Sequence, residues 1–170
     1  MTRDPADTIA AFGLALGALF GMAGTFAQAN VQALCWAIDG AGLVAAAALL
    51  ALKYVRAGQD IVAAGFLVFA IAEATMLSGT AAGPSASVPA FAAGTALWST
   101  ALLLISLPRQ FAAAVRVLGL VTAVLFAIVA ARIFWGEQLL PTASPLPFFA
   151  YPFLVMTFLG WIWSLLRANG

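Results

Sequence analysis

Residues 61–79 read IVAAGFLVFAIAEATMLSG, from Ile61 to Gly79, an apolar run long enough to cross a bilayer as one helix. A single ionisable residue, Glu73, interrupts it. Insertion scales put a charge at the centre of such a helix at a cost of about 2.5–3.5 kcal/mol, so Glu73 is expected to be paired, protonated or used. Two further groups are candidate companions: Asp39 in the preceding apolar run and Arg132 in a later one.

The whole chain resembles this stretch in character. Of its 170 residues 65% are hydrophobic and 8% charged, against about 25% charged in soluble domains. Mean hydropathy is +1.09. The reading is an all-α integral membrane protein, a single polytopic domain over residues 1–170, whose main partner is the lipid bilayer. A formal net charge of +1 gives no electrostatic case for nucleic acid. The absence of histidine removes the commonest ligand for zinc, haem and copper and the commonest base near neutral pH. Cys35 is the one cysteine, so no intrachain disulfide can form. No cofactor or metal is therefore expected.

Six runs reach spanning length: 8–28, 31–52, 61–79, 90–107, 116–135 and 148–166. The first competes with a signal-peptide reading, because Ala27-Gln28-Ala29 has the small-x-small form of a cleavage site. Asp4 and Asp7 in the head and the length of the run favour a retained helix. Residues 80–89, TAAGPSASVP, read as a loop, as do residues 136–147 with their three prolines. Pro152 is expected to kink the sixth helix. Trp36, Trp135, Trp161 and Trp163 fall near helix ends and fit an interfacial aromatic belt.

Basic residues set the orientation. Arg3, Lys53 with Arg56, Arg109 with Arg116, and Arg167 flank alternate ends of six spans, and the other connections lack lysine and arginine. By the positive-inside rule both termini are cytoplasmic, giving an N-in/C-in six-transmembrane-helix bundle in a cell membrane, read as a bacterial inner membrane. Arg132 alone breaks the rule, near the outer end of the fifth span.

At about 1.5 Å per residue, Asp39 lies roughly 12 Å, Glu73 roughly 9 Å and Arg132 roughly 6 Å from the outer ends of their helices. Their overlapping depths predict a hydrogen-bonded contact between Arg132 and Asp39 or Glu73. Thr75 and Ser78, close to Glu73 in sequence, complete the expected binding set, and Gln28, Asn30 and Glu137 lie near the same side. Such a cluster is either a structural ion pair fixing helix register or a site open to the outer side.

No GxSxG, HExxH, P-loop or dinucleotide motif is present, and Ser99, Thr100 and Ser106 lack a histidine to activate them. The chain is therefore not read as an enzyme. The leading expectation is a small transporter, channel or transport accessory, with a small solute or proton at a polar, outward-facing intramembrane site. The alternative is a non-catalytic scaffold or subunit. It would hold a partner protein or lipid, or a second copy, through a glycine face (Gly13, Gly17, Gly21) and the aromatic sixth helix.

Overall fold

The computed structural model describes residues 4–82 and 84–167; Arg3, one of the basic flanks, lies outside them. The described residues form helices and their connections and contain no strand. Six helices follow in order: α1 Pro5–Phe26, α2 Ala29–Arg56, α3 Asp60–Ala81, α4 Pro84–Ser106, α5 Ala113–Phe134 and α6 Tyr151–Arg167, the last entered through a 3₁₀ turn at Phe148–Ala150. All six segments are long and apolar enough to cross a membrane.

Helix ends explain where these limits depart from expectation. Asp4 caps α1 by accepting a 2.9 Å hydrogen bond from the Ala6 amide, with Pro5 in the first helical position. The loop expected over 80–89 is mostly helix, because α3 continues to Ala81 and α4 begins at Pro84. Proline at a helix start removes only an amide that has no partner there, so it marks an N-terminus rather than a loop. Pro89 lies inside α4 on an exposed face. Pro152 is the second residue of α6 and falls in its first turn, so the ring displaces no helical hydrogen bond and the expected kink has no cause.

Each helix packs on its neighbours in the chain, and α6 closes onto α1, making a ring of six. Small residues let the outer pairs approach. A Cβ added at Gly13 would stand 2.5 Å from the Gly42 carbonyl oxygen, while Gly17 faces Leu43 and Gly21 faces Asp39. The glycine face of α1 is thus covered by α2 of the same chain.

Aromatic rings fill the middle. Phe66 of α3 meets Trp161 of α6 with ring centres 5.0 Å apart, and Phe69 meets Phe158 at 5.8 Å. Tyr54 stacks on Phe66 at 5.5 Å, and Phe111 leans on both. Trp161 is 1% exposed, so it belongs to this core and not to an interfacial belt. Trp163 and Trp135 do face outward.

The ends differ in charge. At the basic end Lys53 Nζ donates to both Asp7 carboxylate oxygens, at 2.7 and 2.8 Å, joining the start of α1 to the end of α2. Arg116 donates to the Ser106 and Leu107 carbonyls, at 2.8 and 2.9 Å, and so caps α4 where its dipole favours a cation. Arg167 lies 4.4 Å from the centre of the Trp163 ring.

Candidate functional site: an acidic cavity walled by aromatic rings

Toward the opposite end the ring is not filled. A cavity of about 80 Å³ lies among α1, α2, α3, α4 and α6, and Pro141 of the α5–α6 connection also lines it. Its lining comes mostly from the halves of those helices nearest the α1–α2, α3–α4 and α5–α6 connections, with Trp98 and Leu43 near mid-helix. Asp39 and Glu73 both line it. Asp39 stands ten residues into α2 and Glu73 eight residues before the end of α3, depths of about 15 and 12 Å. Both are deeper than the sequence suggests, because both helices are longer.

Glu73 is 3% exposed and is held by Trp98. The Trp98 indole Nε1–H donates to Glu73 Oε1 over 2.8 Å. Trp98 is itself fixed, stacked on Phe69 at 5.9 Å and edge-on to Phe126 at 4.8 Å. An indole offers one donor and no acceptor, so a buried Trp aimed at a carboxylate has its polar atom satisfied.

Asp39 is different. Its Oδ1 is buried and accepts no hydrogen bond from any described residue. Gly21 makes room for this carboxylate: a Cβ there would lie 3.1 Å from Oδ2. Three of the lining hydroxyls are committed elsewhere. Thr25 donates to the Met22 carbonyl at 2.7 Å, Thr80 to Met76 at 3.0 Å and Tyr151 to Pro141 at 3.0 Å. No lysine, arginine or histidine is among the lining residues.

The expected arginine contact is therefore corrected. Arg132 Nη2 donates to Glu137 Oε2 at 2.6 Å and Nε to Oε1 at 3.0 Å, a two-point pair at the exposed end of α5. The guanidinium hydrogen bonds hold the Glu137 carboxyl below the usual glutamate range. A glutamate five residues on, just past the helix end, offers a solvated partner, and reaching it costs less than carrying a guanidinium into the bundle. Thr75 and Ser78 are also turned away from the cavity. Each hydroxyl returns to its own helix, to the Ile71 and Thr75 carbonyls at 2.8 Å, as short hydroxyl side chains in helices commonly do.

Of the five residues expected at a site, the cavity gathers Asp39 and Glu73. The residues missed are Trp98, Trp36, Tyr151 and Phe91. One signal was available for Trp98: an indole N–H in mid-span, in the depth layer of a buried acid, needs an acceptor.

Fold and site together define a class: a small all-helical protein with six potential membrane spans around an acidic, aromatic-walled cavity. No protein-family model, curated protein or solved structure matches the chain, so the assignment goes no further than that class.

Proposed function

We propose that this is a multi-pass membrane protein, N-in/C-in in a cell membrane, whose cavity is the solute site of a small transport protein and is reached from the outer side. The observation that carries the reading is the pair Asp39 and Glu73 facing one cavity within the span layer with no basic residue in its lining. Two like charges so placed need a proton or a cation to share, and intramembrane acids in that situation mark ion and substrate paths. The outer location follows from the basic residues, because the cavity lies at the end away from Lys53, Arg56, Arg109, Arg116 and Arg167. The scaffold reading is weaker on this geometry. The α1 glycines are occupied by α2, and α6 spends Phe158 and Trp161 inside the bundle.

Orientation is tested by cysteine labelling in a Cys35→Ala background, with single cysteines at Ala57 and at Gln138. Both positions are exposed, in connections at opposite ends of the bundle. An impermeant maleimide should label Gln138→Cys in sealed right-side-out vesicles, and Ala57→Cys only after permeabilisation. Labelling of both from one side ends the topology. Transport is tested by counterflow of radiolabelled cations into proteoliposomes. Uptake equal to that of protein-free vesicles, for both inorganic and organic cations, removes the transport reading.

A further inference from the structure

We infer that the cavity is a binding site for a protonated amine bearing at least one N–H and an apolar substituent, with Asp39 as the residue that receives the N–H. The inference rests on the solute-site reading above and names its substrate class.

The argument starts from the unused acceptor. Buried polar atoms in native proteins nearly always have a partner, and a carboxylate oxygen left without one is costly. Asp39 Oδ1 is such an atom. No side chain among the described residues donates to it here, and Trp36, the other indole in the lining, sets its Nε1 against Gly24 of α1. Glu73 is an acceptor, Trp98 Nε1 is spent on Glu73, and the Thr25, Thr80 and Tyr151 hydroxyls are spent on main-chain carbonyls. What Oδ1 lacks is a hydrogen-bond donor, and two acids with no basic residue in the lining favour one that carries positive charge.

The walls narrow the class further. Trp36, Trp98, Tyr151 and Phe91 bring aromatic rings to the cavity, and cations are drawn to aromatic faces most strongly when desolvated. Met22 and Met76 add thioethers that adapt to irregular hydrocarbon shapes. A divalent metal suits the site poorly. Two carboxylates are too few hard ligands, and the described residues contain no group of three His, Cys, Asp or Glu side chains that could hold one. A quaternary ammonium would satisfy the rings but bring no hydrogen for Oδ1. An ammonium with an N–H satisfies both, and its hydrocarbon part can lie against the apolar wall. The volume of about 80 Å³ holds a few waters, or the ammonium end of a small amine with those waters displaced.

The test uses purified full-length protein in lipid nanodiscs and three matched probes: benzylammonium, benzyltrimethylammonium and benzyl alcohol. Affinity is read by titration calorimetry and by the ligand-dependent shift in thermal unfolding. Benzylammonium should bind about tenfold or more tightly than either other probe, the range one hydrogen bond to a charged group supplies. Asp39→Asn should remove that preference. Glu73→Gln, in which the side-chain amide oxygen still accepts from Trp98, should weaken benzylammonium while the ligand-free protein stays folded. If Asp39→Asn fails to fold, Gly21→Ala serves instead: it crowds the carboxylate without removing it and should also weaken benzylammonium. Equal affinity for the quaternary probe, an unchanged preference in Asp39→Asn, an unchanged benzylammonium affinity in Gly21→Ala, or no binding of benzylammonium at millimolar concentration overturns the inference. Proteoliposome flux separates this from the parent reading. Selective amine binding without flux leaves the amine site standing and removes transport. Flux of the quaternary probe or the alcohol without amine preference keeps transport and overturns the amine site.

Discussion

The two ends of this bundle treat charge and space in opposite ways. At the basic end Asp7 and Lys53 are joined at two points, Arg116 closes a helix terminus, and the interior beside them is filled by Tyr54, Phe66, Phe111 and Trp161. At the other end two acids face a cavity, one of them held by an indole and the other with an oxygen that no described residue bonds. Both ends use aromatic residues, but to different effect. Below the cavity the rings touch one another and close the centre; around it Trp36, Phe91 and Tyr151 leave a volume that the protein does not fill. A cavity beside a carboxylate oxygen with no protein donor is the feature on which the proposed amine site rests.

The largest test of this contrast is to empty the filled end. Trp161→Ala removes a fully buried ring from the cluster and should lower unfolding free energy by about 3–5 kcal/mol, the range for large aromatic truncations. Phe91→Ala, at the cavity wall, should cost less, since that ring already borders a void. Chemical denaturation in mild detergent measures both. Equal losses would mean that the two ends are packed alike.

A smaller effect is expected from Trp98→Phe. An aromatic ring is kept, stacked on Phe69 and edge-on to Phe126, and the donor to Glu73 is lost, at a cost of about 1.5–3 kcal/mol if the acid is ionised. Adding Glu73→Leu in the same molecule should recover part of that loss, because no acid is then stranded. Strict additivity of the two changes would mean that the indole does not hold the acid.

The smallest effect belongs to Arg132. Its pair with Glu137 is exposed, so Arg132→Ala should leave the thermal midpoint of the bundle unchanged within error. The carboxyl of Glu137 titrates below its unfolded value near 4.5, so its contribution is present above that pH and is lost as pH falls through the lower folded value. Limited proteolysis of the 136–147 connection should therefore accelerate below about pH 4.5 in the parent protein, and Arg132→Ala should show the faster cleavage already at pH 7. A large drop in the thermal midpoint of Arg132→Ala would put the arginine back inside the bundle.

Much of the architecture is legible in the chain itself. Length and hydropathy of the apolar runs determine six helices, because every run reaches spanning length and polar, glycine or proline residues separate each from the next. Depth is legible too: Asp39 and Glu73 are placed in one layer by counting residues from helix ends. Partnership is not. Arg132 shares that layer by count, yet which way a side chain faces depends on the rotation of each helix, and nearly uniform apolar helices carry little periodic signal to fix it. Only the packed ring decides that Trp98, 25 residues from Glu73, aims its N–H at the acid, that Thr75 and Ser78 turn back to their own helix, and that Gly21 leaves room for Asp39. Proline misleads for a related reason. At Pro84 and Pro152 it opens helices instead of breaking them, and the sequence alone does not say where a helix has its first turn. Span and depth are one-dimensional properties, fixed by how many residues each apolar run holds. The cavity and its unmatched carboxylate are three-dimensional, fixed by which faces of five helices and a loop meet.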